Sequence, residues 1–189
     1  MFLALIAAQS AWAAPEMIPE TAMDEVGHTA SDFTVDLREG GRFTLSEQKG
    51  KIVIISFWAS WCTPCKKELP ALSKLSEERK DLRFIAVNVD RERADAEKFL
   101  AALSSPVAPT LPIGFDNDAM ALGGYSVTSM PTIFVIGKDG VTKYRKSGYS
   151  EERGFVEILA AADGKPIPTF DPPAPPAGAA TPAAGAKKP

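Results

Sequence analysis

Cysteine and histidine are scarce in this chain: two of the first and one of the second in 189 residues. With His28 alone, there is no set of partners for Ser–His or Cys–His catalysis. Cys62, Cys65 and His28 together offer three metal ligands at most, whereas a closed zinc site takes four, so no metal is expected. A surplus of positive charge is also missing. The formal net charge is -3, which gives a phosphate backbone nothing to bind, so nucleic acid is not an expected partner. No lysine or arginine occurs before Arg38, so the apolar opening lacks the positive flank of an ordinary leader. No later apolar run approaches the ~20 residues that span a bilayer.

What is present divides the chain into four stretches. Residues 2–8 are apolar, and Ala11-Trp12-Ala13 places small residues where a signal peptidase reads them. Residues 1–13 are therefore expected to be a secretory signal peptide cut after Ala13; left uncut, this end would anchor the protein to the membrane. Residues 14–29 are polar, carry Pro15 and Pro19, show no clear period, and read as a flexible lead-in. Residues 165–189 are rich in proline and alanine, with Asp171-Pro172-Pro173 and Pro175-Pro176 among them, and read as an extended, disordered tail. The core is expected over 30–164.

Within that core, residues 33–37 and 42–45 flank Glu39-Gly40-Gly41 and read as a β-hairpin. Residues 51–59 are an unbroken β-branched and aromatic run, as in a strand covered on both faces. Helical spacing follows over 64–80, with Leu69, Leu72 and Leu75 on one side. A second buried strand is expected over 82–89, a helix over 91–103, a short strand over 111–115 and a short helix over 118–123. Residues 132–136 and 141–145 flank Gly137-Lys138-Asp139-Gly140, a hairpin signal, and 151–162 forms the last helix. This order predicts an α/β fold, a mixed β-sheet with helices on both faces.

Both cysteines lie in Trp61-Cys62-Thr63-Pro64-Cys65, between the first buried strand and the helix after it. A disulfide stabilises by closing a loop in the unfolded chain, and a loop this short gains little. The pair therefore reads as a dithiol that opens and closes. A helix start presents unpaired N–H groups and the positive end of the dipole, and both favour an ionised sulfur. Cys62, at the N-cap or first helical position and partly exposed, is expected to attack. Cys65, one turn further in, is expected to be the shielded thiol that resolves the mixed disulfide. Pro64 suits a first helical turn, where its missing N–H costs nothing. Lys66 and Lys67 read at least as well as solvated surface as they do as charges tuning the sulfur. On spacing, Glu68 has two readings: a solvated first-turn glutamate, or a carboxylate that carries a proton to or from Cys65. Met130-Pro131-Thr132 opens a later buried strand. A cis bond there would turn the Met130 backbone toward the dithiol, but cis is uncommon even before proline.

These motifs, with Ala30-Ser31-Asp32-Phe33-Thr34, Gly50-Lys51, Glu68-Leu69-Pro70 and Val87-Asn88-Val89-Asp90, resemble the thioredoxin superfamily. The resemblance is narrower still to the exported TlpA/ResA/CcmG-like thiol-disulfide oxidoreductases, and it covers about 26–162. It implies a thioredoxin-like sheet with an N-terminal β-hairpin and an inserted central helix at 91–103. It also implies that Pro131 is cis and packs on the dithiol, and that Glu68 holds the place of the active-site acid. Ser56 and Ala86 stand where cytosolic thioredoxins carry a buried Asp and Lys, which leaves Glu68 as the nearest proton carrier. Trp61, Thr63, Pro64, Met130 and Gly148 match positions that meet the partner protein. For Trp58, which also matches the groove, core packing is the expected role.

The function expected is that of an exported, periplasmic thiol-disulfide oxidoreductase, a monomer that reduces disulfides in protein substrates. By family analogy these belong to cytochrome c maturation or respiratory metal-site assembly. The redox-active disulfide is its only cofactor, and a membrane-embedded electron donor is implied. Alternatives in other directions are a disulfide oxidase or isomerase, and a non-enzymatic copper chaperone using both thiols with Met130. A peroxidase of the peroxiredoxin kind resembles the N-terminal half, but it sets its reactive cysteine in a different local motif.

Overall fold

A computed structural model describes residues 26–116 and 119–169. The expected signal peptide, nearly all of the lead-in and most of the tail lie outside the described residues. Gly40 and Gly41, both at positive φ, turn β1 (Thr34–Leu37) back onto β2 (Arg42–Thr44) as the expected hairpin. A 3-10 turn over Leu45–Gln48, which the sequence reading did not foresee, leads into β3 (Val53–Trp58), where every residue is buried. The chain continues through α1 (Cys65–Glu78), β4 (Arg83–Asn88), α2 (Arg93–Ala101), β5 (Ile113–Phe115) and α3 (Met120–Gly124). It ends with β6 (Thr132–Ile136), β7 (Thr142–Ser147) and α4 (Val156–Ala162).

The seven strands form one mixed sheet in the order β2-β1-β5-β4-β3-β6-β7. β3, β4 and β5 are parallel neighbours. Two successive right-handed crossovers in the same direction put α1 and α2 on one face. There Leu69, Leu72, Phe99 and Leu100 meet Ile54, Trp58, Ile133 and Val135, and α4 adds Ile158. The alternate strand residues Val53, Ile55, Phe57, Phe134 and Ile136 point to the other face. Ala121, Tyr125 and the hairpin residues Val35 and Phe43 cover them. Among the described residues, no helix is long and apolar enough to cross a membrane.

Two boundaries differ from expectation. The last helix begins at Val156 rather than at Glu151. The intervening chain closes a single turn (Gly154 N–H to Ser150 C=O, 2.8 Å), and Gly154 then takes φ +51, which ends helical propagation. The chain also joins the fold before Ala30. The Gly27 N–H donates to Thr142 C=O, the Thr142 N–H donates to His28 C=O, and Thr29 bridges Val141.

Gly114 in β5 is required for space. A Cβ there would sit 2.5 Å from Cγ2 of Val35 on the adjoining strand, and valine has little rotamer freedom with which to yield. Gly114→Ala is expected to destabilise by about 1–3 kcal/mol, read as a lower urea midpoint with unchanged slope.

Candidate active site

The loop after β3 carries the dithiol, and it is held from β4. Asp90 is 7% exposed; its carboxylate takes the Ser60 N–H at 2.8 Å and the Ser60 hydroxyl at 3.0 Å. The same carboxylate takes the Asn88 side-chain amide at 2.8 Å. The neighbouring Cys62 N–H donates to Ala59 C=O. Every acceptor bond here ends on the strand–loop junction, so the approach to Cys62 is fixed before the helix starts.

Cys62 and Cys65 are joined as a disulfide, with Cα atoms 5.4 Å apart. The first α-helical residue is Cys65, with Pro64 as its cap, so Cys62 lies just ahead of the helix rather than in it. Its sulfur nevertheless does the work of a capping side chain, accepting the Cys65 N–H at 3.2 Å. Cys62 is also more enclosed than expected. It is 3% exposed against 0% for Cys65, because the bonded sulfur turns into the cluster containing Trp58 and Leu69. Exposed apolar surface beside it comes from Trp61, 69% exposed; Thr63 and Pro64 are exposed as well.

Glu68 overturns the solvated-surface reading. It is fully buried, on the stripe that also carries Cys65, Leu69 and Leu72. Residues three apart on a helix are neighbours, which puts its carboxyl on the Cys65 side. Oε1 accepts the hydroxyl of Ser56 on β3 at 2.7 Å; Oε2 is buried with no hydrogen-bond partner among the described residues. Burial pushes the carboxyl up to about 7, against a smaller downward pull from the Ser56 hydroxyl. Lys66 and Lys67 are exposed, as their surface reading has it. Lys67 pairs with Glu151 at 2.6 Å, clasping α1 to the chain after β7. Tyr149 in that chain is raised by burial and senses Glu151 and Glu68. Sequence reasoning missed Tyr149, and also the Asp90 clamp; Val87-Asn88-Val89-Asp90 was noted only as part of a resemblance.

On the other side of the sulfurs, the Met130–Pro131 bond is cis. Pro131 is buried, and its C=O accepts the Gly148 N–H at 2.8 Å; Gly148 takes φ +79 to make that approach. Met130 packs against the cluster that contains both cysteines. Among the described residues, neither its N–H nor its C=O takes an internal backbone hydrogen bond. Trp58 is fully buried and stacks on Phe99 at 5.2 Å between ring centroids, a core residue as expected. His28 sits by Thr142 at the far end of the sheet and joins no constellation with the cysteines.

The arrangement is a disulfide at a helix start, with a buried carboxyl on the same helix face and exposed Trp61 beside it. The AhpC/TSA family matches residues 26–145 of the chain. Thiol-disulfide oxidoreductase ResA of Geobacillus thermodenitrificans is 35% identical over 120 residues, 62% of this chain and 67% of that one. Thioredoxin-like protein YneN of Bacillus subtilis is 36% identical over 116 residues, 61% and 67% of the two chains. Among solved structures, a thiol:disulfide interchange protein DsbE from Chlorobium tepidum superposes with a TM-score of 0.65 at 30% identity, covering 74% of this chain and 99% of that one. The exposed lipoprotein thioredoxin of Streptococcus pneumoniae gives 0.60 at 28% identity, covering 71% and 99%.

Proposed function

This chain belongs to the AhpC/TSA family and is a thiol-disulfide oxidoreductase, and from that premise we propose that it is an exported reductase of disulfides in protein substrates. The substrates proposed are those of cytochrome c maturation or respiratory metal-site assembly. The observation that carries the reading is the Cys62–Cys65 disulfide at the start of α1 beside the buried carboxyl of Glu68.

In the reduced protein the Cys62 thiolate attacks a substrate disulfide. A Cys62–substrate bond forms and one substrate sulfur leaves with the electron pair of the broken bond. Cys65 then loses its proton to Glu68 and attacks the Cys62 sulfur, closing the disulfide and releasing the second substrate sulfur. Two electrons pass from the dithiol to the substrate, and the departing thiolates take up protons. The Met130 backbone, unpaired among the described residues, offers an N–H and a C=O to an extended substrate segment, in the manner of strand addition. Trp61, Thr63, Pro64 and Gly148 form the rest of the docking rim.

Export is supported by the apolar opening of the sequence and by likeness to a pneumococcal thioredoxin described as an exposed lipoprotein. In an oxidising compartment a reductase must be continuously re-reduced, which calls for a membrane-embedded donor. Direction is tested by the midpoint potential of the Cys62/Cys65 couple, equilibrated with glutathione. The expected value is closer to thioredoxin's, about -270 mV, than to that of the oxidant DsbA, about -120 mV. A value near the second would make the protein a disulfide donor.

A further inference from the structure

Ser56 is a polar residue in an apolar place. It is fully buried in the middle of β3, paired in the sheet with Ala86 on one side and Ile133 on the other. Neither neighbour can satisfy a hydroxyl. A buried hydroxyl without a partner is destabilising, and among the described residues this one bonds to Oε1 of Glu68 on α1. The bond crosses from sheet to helix and fixes the carboxyl by one oxygen. The other oxygen, Oε2, is enclosed and unpaired, on a helix face shared with Cys65.

We propose that Ser56 is a positioning residue for the proton carrier of this site: its hydroxyl holds Oε1 of Glu68, leaving Oε2 as the oxygen through which a proton passes to and from Cys65. The inference rests on Glu68 serving as the acid and base of the exchange. In the oxidised protein the Cys65 sulfur is bonded to Cys62, carries no proton, and leaves Oε2 without a donor. On reduction, the Cys65 S–H supplies one. When Cys65 attacks the mixed disulfide, its proton moves to Oε2, the Cys65–Cys62 bond forms, and the Cys62–substrate bond breaks. The substrate sulfur carries away the electron pair. Throughout, the Ser56 O–H donates to Oε1 and favours the ionised carboxylate. Removing it should push the carboxyl further toward its protonated form and so leave less base at neutral pH.

Other groups also bear on this carboxyl. Glu68 acts electrostatically on Tyr149 in the chain after β7, as do Glu151 and Lys67, which pair with each other. On α1 the neighbours are Cys65 and the exposed Lys66 and Lys67; α4 presents the apolar Ile158 to the same cluster. Of these, Ser56 alone is hydrogen-bonded to Glu68 among the described residues.

The test uses reduced full-length protein and oxidised glutathione as the disulfide. The release of the second glutathione, which reports resolution by Cys65, is followed from pH 5 to 9 in Ser56→Ala, Ser56→Thr and Glu68→Gln. Ser56→Ala is expected to move the profile upward by about one pH unit, slowing resolution at pH 7 about fivefold. Ser56→Thr, which keeps the hydroxyl, should return it to near the native profile, and Glu68→Gln should abolish that limb. Infrared titration of the Glu68 carboxyl in oxidised Ser56→Ala should show the same upward shift without any turnover. A native profile in Ser56→Ala alongside a changed one in Glu68→Gln would overturn the role of Ser56 and leave that of Glu68 standing. Equal shifts in the alanine and threonine variants would assign the effect to packing and also overturn it. A native profile in Glu68→Gln would remove the proton carrier itself.

Discussion

Cys65→Ser is expected to stop the exchange halfway, accumulating a covalent adduct between Cys62 and the protein substrate, whereas Cys62→Ser accumulates none. Both variants should lose steady-state disulfide reduction by a factor on the order of a thousand or more, because each half-reaction needs its own sulfur. The asymmetry comes from position. Cys62 lies ahead of α1, next to the exposed Trp61, while Cys65 is sealed inside the first turn with no exposed surface. A substrate approaching across Trp61 and Met130 meets the first sulfur and is kept from the second. Non-reducing electrophoresis of each variant after incubation with an extract of the source cells, followed by release with dithiothreitol, measures the adduct. Equal capture by the two would show that the order of attack has been assigned wrongly.

The second large effect is on stability and follows from Glu68. Its carboxyl is raised from an ordinary 4.5 to about 7 in the folded, oxidised protein. Between these two values the unfolded chain has released its proton and the folded one has kept it, so unfolding releases a proton and stability falls as pH rises. The contribution is fully present below 4.5 and gone above about 7. Integrated over that window it amounts to about 3 kcal/mol. Asp81, Asp139 and Asp163 act in the opposite sense and at lower pH. Each is held below 3.8 by a cationic partner, so what they add is lost only as acid protonates them. Glu68→Gln keeps an acceptor for Ser56 and cannot ionise. Urea titrations of the oxidised protein should show the native curve falling across the window while that of the variant stays flat. Parallel curves would mean that the carboxyl titrates as it does in water.

Most of the fold could be read from local signals because those signals agree with the tertiary environment. The Gly40-Gly41 turn, the covered run of β3 and the Gly137–Gly140 connection each have one physical solution, and the elements lie within a few residues of expectation. The last helix was drawn too long because Glu151-Glu152-Arg153 has good helical propensity, and nothing local shows that Gly154 adopts a positive φ. At the site, the two cysteines are legible from their motif, whereas the cis Pro131 follows only from the family resemblance. The burial of Glu68 was not legible from residue type, since a first-turn glutamate is usually solvated. The stripe through Cys65, Leu69, Leu72 and Ser76 does include position 68, and helical phase would have placed it inside. Asp90 and Ser60 are thirty residues apart in the chain, and Ser56 and Glu68 sit on different elements. Such pairings are created by the sheet order and have no sequence period to reveal them.

The segment Gly27–Thr29 runs against the chain that leads into β7, at Val141 and Thr142. That is the end of the sheet where β3 starts and β6 stops, since Val53 is opposite Ile136. The reactive sulfurs follow Trp58 at the opposite end, one strand length or about 17 Å away. Val26, the first described residue, therefore lies at the back of the domain. A client can thus cover the sulfurs and the exposed Trp61 beside them without touching this back edge, one strand length removed.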